Sequence, residues 1–117
     1  MLYEDLTEYI SKVYPVYPVP SAEEYIKQSN TKEFCPVIDT PAAMFLKMTL
    51  EIKKPLNVLE LGTSIGYSST IIASTIKRWN GQVVSVDNDE AIVEIAKKNY
   101  MEYNDQEKKY RRITMFL

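Results

Sequence analysis

The segment from Val58 to Ser69, which reads VLELGTSIGYSS, constrains the fold of this chain more than any other. An apolar run carries an acidic residue near its end, and Gly62 and Gly66 follow four positions apart. Small hydroxylated residues then lead into a run of residues with helical spacing. We interpret the segment as a β-strand, a tight loop and the start of a helix.

Strands and helices alternate from this segment onward. Apolar runs predict three strands, and between them we predict a helix over Tyr67–Arg78 and a second helix capped by Asp89. Residues 104–111 are polar and predict a loop or a fraying helix end. Such alternation predicts an α/β fold, a Rossmann-like parallel sheet of three strands with right-handed crossovers. The predicted strands are Leu56–Leu61, Gln82–Val86 and Ile113–Leu117.

The N-terminal part of the chain has helical patterns instead. Residues 2–14 predict an amphipathic helix, and the prolines of residues 14–20 predict an extended connector or a proline-rich recognition motif. A capping-box sequence at Ser21 predicts the start of a second helix, which runs to about Ser29. The third helix is predicted to have Thr40 as its N-cap and proline next to it. We therefore divide the chain into a helical segment, residues 1–54, and an incomplete ligand-binding half of Rossmann-like type, residues 55–117.

Composition excludes several function classes. The chain has no histidine, so it has no histidine base, triad or metal ligand. A net charge of −2 favours neither nucleic acid nor an anionic membrane as a partner. The single cysteine, Cys35, suits a reducing cytoplasm, and neither a signal peptide nor a membrane-spanning run is predicted.

The candidate ligand site lies where the predicted parallel strands end. Ligands of open parallel sheets bind outside the carboxyl ends of the strands, and Gly62 and Gly66 let the backbone approach a ligand closely. Asp87 follows the second strand, about 20 residues after Gly66, where the carboxylate that binds ribose hydroxyls is found in nucleotide-binding halves. Less specific roles remain open: Glu60 could order the loop through backbone N–H groups, Asp87 could cap the next helix, Tyr67 could only pack, and the glycines could serve a tight turn.

The motif formed by Glu60, Gly62 and Gly66 resembles the first motif of class I S-adenosylmethionine (SAM)-dependent methyltransferases, Glu/Asp-x-Gly-x-x-x-Gly. The sequence GTSIGYS, residues 62–68, is similar to the corresponding segment of small O-methyltransferases of the catechol and caffeoyl-CoA type. Sites for NAD and FAD favour Gly-x-Gly-x-x-Gly, so the glycine spacing also favours SAM.

The resemblance implies a set of cofactor-binding residues. Ile38 would lie near the methionine end of SAM, Asp87 would bind the ribose hydroxyls, and Asn88 would lie beside the adenine. The residues implied around the amino-acid part of SAM are Glu60, Gly62, Thr63, Ser64, Gly66 and Ser68.

The resemblance also implies parts that this sequence does not contain. In the family, the acids that bind a divalent metal, the catalytic base and most of the acceptor pocket follow the third strand. We therefore expect a SAM-dependent O-methyltransferase-like protein represented by its N-terminal cofactor-binding half, with no catalytic or metal-binding residue and inactive as this chain alone. The first strand would have no neighbour on one side, so the rest of a larger domain, a second chain or the N-terminal helices would cover that edge. We expect the chain alone to self-associate through this edge or to have low stability. Two other functions remain open: a non-catalytic SAM-binding or association module, and a Rossmann-type half for another nucleotide.

Overall fold

The computed structural model describes residues 3–13, 19–29, 36–107 and 113–116, and it has the predicted α/β architecture. Helices come first and a strand–helix alternation follows. The elements are α1 (Tyr3–Val13), α2 (Ala22–Ser29), α3 (Thr40–Lys53), β1 (Asn57–Leu61), α4 (Tyr67–Ile76), a 3-10 turn (Lys77–Trp79), β2 (Gln82–Val86), α5 (Glu90–Glu107) and β3 (Ile113–Phe116).

The capping box predicted at the start of α2 is present. The Glu24 backbone N–H donates to Ser21 Oγ over 3.3 Å, and the Ser21 N–H donates to Glu24 Oε2 over 3.0 Å. Each side chain thus satisfies a backbone donor that the first turn of a helix leaves unpaired. Helix α1 agrees with its prediction to within one residue at each end, and residues 14–18 of the predicted connector lie outside the described residues.

The N-cap predicted for α3 was wrong by one residue. Asp39, and not Thr40, has the extended backbone of a cap, and its carboxylate accepts from the Ala42 N–H over 2.9 Å. Thr40 is buried, and its hydroxyl interacts with α2, where it accepts from the Ala22 N–H. Asp39 is exposed, and its carboxylate can accept from the first turn of α3. Thr40 does not cap the helix, because its hydroxyl accepts from α2 instead.

The three strands form one parallel sheet in the order β1-β2-β3. Strand β2 has the predicted bounds, and β1 begins one residue later than predicted. Strand β3 has the predicted start, and Leu117, its predicted last residue, lies outside the described residues. Helix α4 ends at Ile76 and not Arg78, because the next three residues tighten into the 3-10 turn. Helix α5 continues to Glu107, into the region predicted as a loop or fraying end.

Helix α4 is the centre of the core, and every residue of it except Ser68 is buried. Ile72 and Ile76 pack with Val83 of β2, and Leu50 of α3 belongs to the same cluster. This cluster contains residues from both predicted parts of the chain, 1–54 and 55–117. The division of the chain at residue 54 remains a prediction. None of the helices in the described ranges is both long and apolar enough to cross a membrane.

Candidate functional site

The loop between β1 and α4 reverses the chain with three residues of positive φ. They are Gly62 (φ 93°), Ser64 (φ 49°) and Gly66 (φ 90°). The Gly62 N–H donates to the Val86 carbonyl over 2.8 Å, which continues the pairing of β1 with β2 beyond the end of β1. The Gly66 N–H donates to the Thr63 carbonyl and closes the turn. Glycine adopts positive φ without the steric cost of a side chain, so Gly62 and Gly66 are well suited to this turn.

The two glycines of the motif have different surroundings. A Cβ at Gly62 would meet no atom within 4 Å, whereas a Cβ at Gly66 would lie 3.3 Å from the Ala96 Cβ of α5. Gly66 therefore allows close packing between the loop and a helix. Gly62 faces open space, so an added side chain there would project into the room that a ligand would use.

A cleft of about 330 Å³ opens beside Gly62 at the carboxyl ends of β1 and β2. Gly62, Asp87 and Asn88, which line it, were predicted as site residues, and they come from two different loops. Val86 also lines the cleft and was not predicted. Its position as the last residue of β2, directly before Asp87, is the signal that identifies it in the sequence.

Asp87 is held as a carboxylate by backbone donors. Its Oδ2 accepts from the Ser64 N–H and its Oδ1 from the Asp89 N–H, each over 3.1 Å. Partial burial acts to raise the pKa of Asp87, but the backbone N–H groups of Ser64, Asp89, Thr63 and Asn88 outweigh it, so the pKa lies below its ordinary value. Asp89, and not Asp87, caps α5 by accepting from the Ile92 N–H.

Glu60 is anchored by hydroxyl groups. Its Oε1 accepts from Ser85 Oγ over 2.6 Å and from Ser69 Oγ. Thr63 is fully buried, and its Oγ1 is 2.7 Å from Ser85 Oγ. These contacts join β1, β2, α4 and the loop. Among the residues that the structure describes, the hydrogen-bond partners of Glu60 are thus side-chain hydroxyls and not loop N–H groups. Ser85 was not predicted, although a serine in the middle of an otherwise apolar strand is a signal for such a role.

Ser64 joins the loop to the segment before α3. Its Oγ donates to the Pro36 carbonyl over 2.9 Å, which places residues 36–39 next to the loop. Ile38 in that segment is half-buried and packs against the core cluster that contains Ile65 and Tyr67. Ile38 thus contacts the neighbourhood of the loop but does not line the cleft.

The remaining side chains around the loop are Ser68 and Tyr67. Ser68 is half-buried at the start of α4. Tyr67 is buried in the core against Tyr25, with ring centroids 5.2 Å apart. Its side chain therefore packs in the core, the less specific of the roles predicted for it. Burial raises the pKa of Tyr67, which keeps its hydroxyl neutral. In the part of the chain that the structure describes, no three acidic or cysteine side chains come together in a way that could hold a metal ion.

A family model for O-methyltransferases matches residues 20–114 of the chain. This range covers all the cleft and loop residues and most of the helices that pack on the sheet. It includes every predicted cofactor-binding residue.

Solved structures of methyltransferases share the fold. The O-methyltransferase of Bacillus cereus, solved with SAH, is 22% identical at a TM-score of 0.70, and the match covers 96% of this chain and 49% of that one. A Staphylococcus aureus protein assigned as a caffeoyl-CoA O-methyltransferase is 22% identical at 0.71 and covers 95% and 49%. TomG of Streptomyces achromogenes, solved with SAM, is 17% identical at 0.65 and covers 98% and 51%. The chain thus spans about half the length of these proteins.

Proposed function

The chain belongs to the O-methyltransferase family, and we propose that it binds SAM in the cleft at the carboxyl ends of β1 and β2. The observation that carries the proposal is that Gly62 and Asp87 line the same cleft. Gly62 leaves space that a Cβ would fill, and Asp87 presents an ionised carboxylate to the same space.

Asp87 has the acceptor capacity that a ribose needs. A carboxylate offers about four lone-pair sites. Of the four backbone N–H groups that lower its pKa, those of Ser64 and Asp89 make hydrogen bonds to it, one to each oxygen. Lone pairs therefore remain for the two vicinal hydroxyls of a ribose, and Val86 and Asn88 lie on either side in sequence, where an adenine would pack.

The loop and its surroundings would hold the amino-acid end of SAM. Glu60, fixed by Ser69 and Ser85, supplies a carboxylate that attracts an ammonium group. The start of α4 offers backbone N–H groups for the ligand's carboxylate. The other residues proposed for this end are Ile38, Gly62, Thr63, Ser64, Gly66 and Ser68.

SAM supplies an electrophilic methyl group on a sulfonium, and this chain's part is to position that donor. The described residues contain no group of metal ligands. We propose that the chain alone holds the donor without transferring the methyl group. We also propose that the isolated chain associates with itself through the free edge of β1, because an unpaired apolar strand is a template for pairing.

Calorimetry with four ligands distinguishes this function from its alternatives. SAM and S-adenosylhomocysteine are expected to bind, while NAD and ATP are expected to give no heat above dilution. Binding of NAD or ATP at equal or higher affinity would identify a site for another nucleotide. Absence of heat with all four ligands, from a chain shown to be folded by circular dichroism, would favour a pure association module.

A further inference from the structure

Glu60 and Ser85 lie opposite each other in the sheet. They are paired in register between β1 and β2, so their side chains are on the same face. That face packs on α4, because Val58 and Val83, two residues earlier on each strand, belong to the cluster that contains residues of α4. In the first turn of α4, Ser69 contacts both members of the pair. A strand pair and a helix thus bring one carboxylate and two hydroxyls together.

The hydroxyl groups around Glu60 are fully buried, and each has one hydrogen to donate. Ser69, Ser85 and Thr63 are all 0% exposed. Ser85 and Ser69 donate to Oε1 of Glu60, since a carboxylate is a stronger acceptor than a hydroxyl. With its hydrogen used in this way, Ser85 Oγ accepts from Thr63 Oγ1, which is 2.7 Å away. The hydrogen bonds therefore run from Thr63 to Ser85 and from Ser85 to Glu60.

The two carboxylate oxygens of Glu60 differ in their partners. Oε1 accepts from two hydroxyls, whereas no hydrogen bond from the residues that the structure describes reaches Oε2. Glu60 is half-buried and comes two residues before Gly62, which lines the cleft. Oε2 is thus the oxygen that is left for a ligand.

We propose that Ser85 is a positioning residue for the ammonium group of SAM: it holds Oε1 of Glu60, so that Oε2 is kept in place to accept from that group. This inference rests on the proposed function, which assigns the ammonium group to Glu60. A glutamate side chain that is already fixed loses less conformational entropy when the ligand binds. Removal of the Ser85 hydroxyl should therefore weaken ligands that carry an amino group and leave other ligands almost unaffected.

Packing alone does not require a serine at this position. Val83 is on the same face of β2, is 1% exposed and fills its place with an apolar side chain. A buried hydroxyl costs free energy unless hydrogen bonds compensate for its lost contact with water. For Ser85 one of the compensating bonds goes to Glu60, a side chain of the proposed site, and this bond is what an alanine would remove.

The experiment compares two ligands by calorimetry: S-adenosylhomocysteine, and its deamino analogue with hydrogen in place of the α-amino group. We expect Ser85→Ala to weaken S-adenosylhomocysteine about tenfold or more and the analogue by less than about twofold. Ser74→Ala is the matched control, because it removes another buried hydroxyl of this region, one that donates to the Ile71 carbonyl within α4. It is expected to leave both affinities unchanged.

A double variant tests whether Ser85 acts through Glu60. In a Glu60→Gln background, Ser85→Ala is expected to cause no further change in the ratio of the two affinities, because the carboxylate that it positions is gone. A further change of the same size as in the unchanged background would mean that Ser85 acts by another route and would overturn the proposal.

Two other results would also overturn it. Equal losses for both ligands in Ser85→Ala would give Ser85 a purely structural role, and undiminished affinity for S-adenosylhomocysteine would give it no role in binding. Circular dichroism checks that each variant is folded, and Ser85→Cys, which has a similar size and a weaker donor, replaces the alanine variant if that one is not. If the unchanged chain bound neither ligand, the proposed function would fail and this inference with it. Binding by the unchanged chain that Ser85→Ala does not alter overturns this inference alone.

Discussion

At the scale of single residues, Gly62 and Gly66 have nearly the same φ and different neighbours. Gly62 borders the cleft and Gly66 borders Ala96 of α5. A side chain at either position costs about 1–2 kcal/mol, because positive φ is unfavourable for other residues. The difference between the two sites therefore lies in what the new side chain would touch.

We expect Gly62→Val to abolish SAM binding, because the branched side chain would occupy the cleft and oppose positive φ. The chain is expected still to fold, because a Cβ at Gly62 would meet no protein atom within 4 Å. Gly66→Ala is the comparison, since its Cβ would press on Ala96 and lower the melting temperature. Calorimetry and thermal melting measure the two effects. Undiminished SAM affinity in a folded Gly62→Val variant would remove the cleft from the proposed site.

Asp87→Ala should weaken SAM binding by about 1.5–3 kcal/mol, the range for hydrogen bonds to a charged group. Asp89→Ala is the matched control, because it removes a carboxylate two residues away that caps α5 and does not line the cleft. Titration with an analogue that lacks the ribose hydroxyls completes the test. Equal losses for SAM and for this analogue would mean that Asp87 acts by ordering Ser64 and Asp89.

At the scale of elements, the ends of the helices are set by short polar contacts. The capping box of α2 could be recognised from four consecutive residues because all its partners are local in sequence. The cap of α3 could not, because both Asp39 and Thr40 are good capping residues. The choice between them depends on the contact of Thr40 with α2, which is distant in sequence.

Asp39→Ala is expected to lower the free energy of unfolding by about 0.5–2 kcal/mol, the usual cost of losing an N-cap. Asp39→Asn should recover most of this stability, since an asparagine oxygen can accept from the same N–H. Urea unfolding followed by circular dichroism measures both. If alanine and asparagine had the same effect, the hydrogen bond to Ala42 would not be what stabilises the start of α3.

At the scale of the whole molecule, the cleft lies at the carboxyl ends of β1 and β2, and β1 is the end strand of the sheet that the structure describes. Helices α3 and α4 pack with Val58 and Val83 on one face, while Leu59 and Leu61 are exposed on the other. The proposed donor site and the exposed leucines adjoin each other, because β1 ends at Leu61, directly before Gly62.

The 117-residue chain is expected to show no methyl transfer to catechol or other hydroxylated acceptors, with or without Mg²⁺. The reason is that the described residues bring together no metal ligands, and that the resemblance places the family's catalytic base and most of its acceptor pocket after the third strand. Incubation with labelled SAM and a panel of acceptors tests this, with the full-length B. cereus protein as the positive control. Turnover clearly above background would show that catalytic residues lie in this chain.

The sequence by itself determined the order of the elements, the parallel α/β class and the family, because these depend on local periodicity and on the contiguous motif from Val58 to Ser69. It also identified Gly62, Asp87 and Asn88 as neighbours, since parallel strands end at the same edge of a sheet. Only the tertiary structure showed that Ser85 holds Glu60, that Gly66 serves α5, and that Leu59 and Leu61 are exposed. These facts depend on contacts between residues far apart in the chain, and no local pattern records which face of a strand a helix will cover.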